Sequence, residues 1–183
     1  MTSVASVGGD ERIRLFLALR IPEDVLDEIE RWQAEWPARV RIVPRGHLHV
    51  TLAFLGHRPS GELEAIVGAL RDAAGGAGEI HLTPVRYREA RSVGMLVLED
   101  HGGRAALLAN ELQEWLERLG VYRREGRPWL PHVTVARWRE RPRLRLEAPP
   151  LRTFVPSDAA AYLSRLHPGG ARYEVLESVA LGG

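Results

Sequence analysis

Two short segments of this 183-residue sequence carry the same pairing of an imidazole with a hydroxyl: His49-Val50-Thr51-Leu52-Ala53 and His132-Val133-Thr134-Val135-Ala136. In extended backbone alternate side chains share a face, so His49 goes with Thr51 and His132 with Thr134. Val50, Leu52, Val133 and Val135 then point the other way. Each segment can bury an apolar face while offering an imidazole and a hydroxyl on its reverse. Imidazole is the side chain whose unperturbed pKa, about 6.5, leaves both protonation states available near neutrality. Two such groups, one acting as base and one as acid, suit general acid–base catalysis, with the hydroxyls as hydrogen-bonding groups beside them.

One His-x-Thr alone says little, because so short a pattern recurs by chance. The chain holds a third, His81-Leu82-Thr83, which runs into Pro84 instead of an apolar continuation and reads as an accident at a strand edge. The other two repeat a whole setting: strand context, a preceding turn signal, and a branched apolar residue and an alanine after the threonine. For either one alone the plain alternative is a satisfied, half-buried strand histidine beside a threonine chosen for β propensity. The matched pair favours one shared site.

Composition narrows the chemistry further. The chain has no cysteine, which removes disulfides, thiolate metal sites and a cysteine nucleophile, and fits a reducing cytoplasm. It has no lysine either, so no lysine amine can act as nucleophile. The formal net charge is +1, yet eight arginines stand against Glu125 and Glu140 between Arg123 and Arg145. That stretch is either a solvated loop and strand edge or a basic lip that collects phosphates. No apolar run reaches membrane-spanning length, and the first residues lack the pattern of a secretory signal. Residues 1–10 read as a loose tail and 11–183 as a single domain, with no membrane partner.

Several elements are needed to position the paired segments. Arg14 to Leu19 reads as a strand. A helix begins at Pro22, with Val25, Leu26, Ile29, Trp32 and Trp36 at helical spacing. A short strand near 40–43 and a turn at Pro44 and Gly46 lead into a strand over 48–55. Ser60 is placed to cap a second helix, which carries Leu63, Ile66, Val67 and Leu70 and stops at Gly75-Gly76. Strands near 79–86 and 93–98 precede a third helix over 104–119, whose expected buried face is Leu108, Leu112, Trp115, Leu116 and Leu119. Strands near 130–136, 153–155, 160–166 and 172–181 complete an α+β pattern with antiparallel sheets.

With these residues in view, the chain resembles the bacterial and archaeal RNA 2′,3′-cyclic phosphodiesterases of the two-histidine phosphoesterase superfamily, long called 2′-5′ RNA ligases. The resemblance spans nearly the whole chain. It includes the Arg14–Leu19 opening, both His-x-Thr strands, the Arg127-Pro128-Trp129 lead-in and the run from Pro168 to Leu176. It implies two pseudo-symmetric lobes of antiparallel sheet with outer helices, the motif strands facing each other across a central cleft. Leu130 and His47 depart from the polar residues common at their positions in relatives.

The resemblance further implies hydrolysis of RNA 2′,3′-cyclic phosphate ends to 2′-phosphomonoesters. In that scheme His132 accepts a proton from water and His49 donates one to the leaving 3′ oxygen; the residues alone do not assign which histidine does which. Thr51 and Thr134 would bind phosphate oxygens. Strict alternation puts Arg137 on the face opposite His132, so it reaches the phosphate only if the strand bulges or ends at Ala136. His47, Arg127 and Tyr173 are further candidates for substrate contact at the cleft rim. No metal or cofactor is called for; a His47/His49/His57 ligand set has no acidic residue nearby. The expected partners are RNA ends or small nucleotides bearing a cyclic phosphate, bound by a monomer. Sister reactions on a small cyclic nucleotide or a 2′-5′ linkage, including reverse ligation, would use the same four residues. A binding module for RNA ends without turnover is the non-enzymatic alternative.

Overall fold

A computed structural model describes residues 11–182, and the tail expected over residues 1–10 lies outside the described residues. The strands are β1 (Arg12–Leu19), β2 (Arg41–Ile42), β3 (Val50–Pro59), β4 (His81–Glu89), β5 (Val93–His101), β6 (His132–Arg137), β7 (Ala159–His167) and β8 (Gly170–Val179). The helices are α1 (Glu23–Ala34), α2 (Leu63–Gly75) and α3 (Arg104–Arg118). The strands run in the order β4-β5-β6-β3-β1-β7-β8, with β2 also beside β6, and every pairing is antiparallel.

This sheet has two halves. One comprises β8, β7, β1 and β3; the other comprises β6, β5 and β4 with β2. They meet at a single register pair, Val50 opposite Val133, both buried. The unit β1-α1-β3 corresponds to β5-α3-β6 across that joint, which places His49 and Thr51 in positions equivalent to His132 and Thr134. So short a ladder leaves the halves free to splay, and a cleft opens on the face away from the core. No helix among the described residues is long and apolar enough to cross a membrane.

The three helices pack on the other face. Val25, Leu26 and Ile29 of α1, Ile66, Val67 and Leu70 of α2, and Leu108, Leu112 and Leu116 of α3 join Leu15, Leu17, Leu19, Leu52, Leu96 and Val135 of the sheet in one core. Two local expectations need correction. Trp115 and Leu119 are exposed: the buried stripe of α3 runs through Ala105, Leu108, Ala109, Leu112 and Leu116, with Trp115 at its margin against Arg118 and Leu119 past the helix end. Ser60 does not directly precede an α-helix; Ser60–Glu62 form a 3₁₀ turn, and α2 begins at Leu63 without a side-chain cap. The third His-x-Thr lies on β4, at the sheet edge, where Thr83 bonds His101 and Thr153 instead of joining the cleft.

Each motif strand carries a β-bulge at the same place. Along β3, Thr51 pairs with Ala18 and Ala53 with Leu17, leaving Leu52 as the extra residue. Along β6, Thr134 pairs with Met95 and Ala136 with Gly94, leaving Val135 as the extra residue. A bulge breaks strict alternation. Leu52 and Ala53 are consecutive buried residues, as are Val135 and Ala136, and the fifth residue after each histidine, Phe54 or Arg137, returns to the cleft face.

A buried glutamine braces each bulge. Gln33 of α1 donates through Nε2 to the carbonyls of Val135 (2.8 Å) and Val43 (3.1 Å), and Gln113 of α3 donates to the carbonyl of Leu52 (2.9 Å). The braces cross over: the helix of each half holds the bulge of the other half. An unmet buried carbonyl costs about 1–3 kcal/mol. Gln33→Leu and Gln113→Leu, which keep volume and remove the donors, should each lower unfolding free energy by about that amount in urea titrations. A loss below about 0.5 kcal/mol for both would show that the carbonyls find other donors.

Candidate active site

Antiparallel register fixes the geometry of the paired motifs. With Val50 opposite Val133, His49 lies across from Thr134 and Thr51 across from His132, all four on the cleft face. In a regular ladder directly opposed Cβ atoms are about 4.5–5.5 Å apart and diagonal neighbours about 7–8 Å. His49 and His132 hold such a diagonal relation, and the charge of His132 acts on His49. A diamond of two imidazoles and two hydroxyls on that regular spacing has room for one phosphate group at its centre.

A cavity of about 410 Å³ sits on this face. His49, Thr51, Thr134, Arg137, His47 and Tyr173 all line it; half-buried His132 is not part of that lining, but it lies two residues from Thr134 on β6 and its charge acts on His49. Arg137 is there because of the β6 bulge, the condition alternation had set for it. Arg127 is not brought in; its guanidinium is exposed and bonds Glu125 at 2.6 Å. Among the described residues no group of three or more histidines and carboxylates is placed to hold a metal ion.

Both imidazoles are held by the same backbone device. The Nδ1 of His49 lies 2.8 Å from the carbonyl of His47, and that of His132 lies 2.8 Å from the carbonyl of Leu130. A carbonyl can only accept, so each Nδ1 carries the proton and, in the neutral ring, each Nε2 presents a lone pair. The Thr51 hydroxyl then donates to Nε2 of His49, at 3.1 Å. The indole of Trp129 donates to the Thr51 carbonyl at 3.0 Å, tying the approach to β6 onto β3.

Aromatic rings wall His49. Phe16 stacks on it at 4.8 Å and 30°, Tyr173 meets it edge-on at 5.8 Å, and Phe16 lies flat on Tyr162 at 4.7 Å. Burial is the main reason that its pKa is pushed down to about 4; the positive charges of Arg137, His132 and His47 push the same way, against the bond to the His47 carbonyl. His47 rests on Tyr173 at 4.2 Å, and its pKa is also lowered, by burial and then by Arg137. Arg14, Arg41, Phe16 and Phe54 line the cavity too, with the Arg14 guanidinium over the Phe54 ring at 4.8 Å. Sequence reasoning passed over these four. Phe16 and Arg14 sit in an apolar strand with no chemical signature, and Phe54 reaches the cleft only through the bulge. The cavity is therefore rich in cations and, among the described residues, lined by no carboxylate, a setting that favours an anion.

The low pKa of His49 links to folding. The unfolded chain takes up this proton near pH 6.5, the folded chain only near 4. The stability gained by keeping the ring neutral is therefore present above about pH 6.5 and is lost as pH falls towards about 4. For His49→Gln, the difference in unfolding free energy between about pH 7 and about pH 4.5 should be smaller than in the unmodified protein by about 2 kcal/mol. Identical pH dependence in the two proteins would contradict the assignment.

Comparison with known proteins places this geometry in context. The family model described as the 2′-5′ RNA ligase superfamily matches residues 21–167. An RNA 2′,3′-cyclic phosphodiesterase of Methanocaldococcus jannaschii is 24% identical over 134 residues, covering 68% of this chain and 71% of that protein. The Escherichia coli protein of the same description is 29% identical over 137 residues, with the same coverage. The crystal structure of E. coli LigT complexed with 3′-AMP superimposes with a TM-score of 0.82 at 25% identity, covering 94% of this chain and all of that one.

Proposed function

The chain belongs to the 2′-5′ RNA ligase superfamily, and on that footing we propose that it hydrolyses RNA 2′,3′-cyclic phosphate ends to 2′-phosphomonoesters by metal-independent acid–base catalysis. The names of its relatives support the reaction class. The observation that carries the mechanism is the diamond of His49, Thr134, His132 and Thr51, set by the Val50–Val133 register.

In this reading the phosphate occupies the centre of the diamond. The Nε2 lone pair of His132 takes a proton from water as its oxygen bonds to phosphorus. The bond from phosphorus to the 3′ oxygen breaks opposite, and His49 passes its Nε2 proton to that oxygen. The proton held by His132 then returns to solvent. Thr51 and Thr134 bind the non-bridging oxygens, and Arg137 neutralises the charge that builds on them. His47 and Tyr173 contact the nucleotide at the cleft rim; Arg127, held by Glu125, takes no part.

A donor with a pKa near 4 is neutral in the free protein at neutral pH. The cyclic phosphate is itself an anion, and seating it beside His49 offsets the field of Arg137 and His132 and raises the affinity of His49 for its proton. Thr51, which donates to the neutral ring, is freed to donate to phosphate once Nε2 carries a proton. Substrate binding and arming of the acid are thus coupled. All these groups come from one chain, which supports a monomer acting as one two-lobed domain. The lack of cysteine fits a cytoplasmic location.

Incubated with a 2′,3′-cyclic mononucleotide, the unmodified protein should give the 2′-monophosphate as its phosphorus NMR product. His49→Ala and His132→Ala should each lower kcat by about 10²–10⁴-fold. Full turnover in either variant, or a 3′-phosphate product, would overturn this mechanism.

A further inference from the structure

A second cavity, of about 560 Å³, adjoins the first and is walled by Arg39, Arg41, Arg137, Trp138, Arg139 and Arg141. Arg41 and Arg137 line both cavities. They are also direct cross-strand partners in the β2–β6 ladder, an arrangement in which like charges destabilise the pair. Nothing in the fold relieves that repulsion: among the described residues, Arg39, Arg41, Arg137 and Arg139 form no ion pair with a carboxylate. Arg141 does, to the nearly buried Glu89 at 2.9 Å, and the carboxylate in the wall itself is Glu140. The Trp138 ring packs tightly on Gly94, where an added Cβ would lie 2.8 Å from it, and its indole donates to the Arg91 carbonyl at 3.2 Å. A fixed, half-exposed indole among unpaired guanidiniums has the features of a surface that tracks single-stranded nucleic acid.

We propose that this arginine-walled groove binds the RNA strand on the 5′ side of the reacting end, with Arg41 and Arg137 holding the phosphate where the groove meets the catalytic cleft. The proposal rests on the hydrolytic reading above and names its substrate: an oligoribonucleotide rather than a free cyclic mononucleotide. Chemistry fixes the direction, since a 2′,3′-cyclic phosphate ends a chain and leaves only 5′ nucleotides to occupy a neighbouring groove. It also gives a role to the central part of the basic stretch. Arg124 and Arg127, nearer its start, are occupied by Glu114, Glu117 and Glu125.

The test compares a cyclic-ended hexaribonucleotide with a cyclic mononucleotide for the unmodified protein and for Arg39→Gln/Arg139→Gln, whose changes lie outside the catalytic cleft. The double variant should lose about tenfold in kcat/KM on the hexanucleotide and stay within about twofold on the mononucleotide. Its log–log salt dependence on the hexanucleotide should be shallower by about 1.4, two single-strand phosphate contacts. Equal effects on both substrates, or none on either, would overturn the groove. If the unmodified protein turns over neither substrate, the hydrolytic reading fails by itself. Fluorescence anisotropy with a labelled hexaribonucleotide ending in a 2′-phosphate then reads the groove: tenfold weaker binding by the variant supports it and unchanged binding overturns it. Tighter binding of a hexaglutamate peptide than of the hexanucleotide would also overturn it, in favour of an acidic protein partner.

Discussion

A strand that alternates strictly can place a histidine and the threonine two residues later on one face, but it sends the fifth residue to the opposite face. Here that parity is broken twice, at Leu52 in β3 and at Val135 in β6. A glutamine from the opposite half of the molecule donates to a carbonyl at each bulge, to Leu52 and, beside the Val43 amide, to Val135. Loss of that donor weakens each bulge against a regular ladder, which would send Phe54 and Arg137 out of the cleft; at Val135 the Val43 amide remains as a second donor. The two braces therefore link core packing to the composition of the site. Because they cross between halves, they also reinforce a joint whose own ladder is one residue pair long.

Charge has the next largest influence. Arg14, Arg41 and Arg137 face a cavity with no carboxylate in its wall among the described residues, and aromatic rings pack on His49. A protein that bound no anion would gain from neutralising such a cluster, as it does at Arg45, which is surrounded by Glu23, Asp27 and Glu30. The contrast between these two arginine sites on one small molecule fits the proposal that the positive field of the cleft serves an anionic substrate. Burial, helped by that field, keeps His49 neutral in the free protein, and in the proposed mechanism the loaded site differs from the empty one in protonation as well as occupancy.

Much of this was legible in the residues. The duplicated His-x-Thr setting pointed to the four side chains that share the cleft face at β3 and β6, because a period of two is a local property of extended chain. Helical periodicity placed α1, α2 and α3 to within a few residues. Where the reading stopped short, nonlocal geometry was the reason. Whether Arg137 joins His132 depends on a bulge set by β5 and by Gln33, neither adjacent in sequence. Arg127, a candidate for the cleft rim, is instead paired with Glu125. The glutamines left a faint signal that went unread: Gln33 and Gln113 each interrupt the apolar stripe of a helix, four residues from Ile29 and Ala109 respectively. A polar residue on a buried stripe calls for a buried partner.

The account depends on one phosphorus atom lying between two imidazoles that approach it from different halves of the sheet. A crystal structure with a bound 2′-phosphomononucleotide tests this most directly. The phosphorus should lie in the diamond, with Nε2 of His49 and Nε2 of His132 each within hydrogen-bond distance of a different phosphoryl oxygen and Arg137 on a third. A phosphate bound by one histidine alone, or seated elsewhere while the diamond stays empty, would contradict the account.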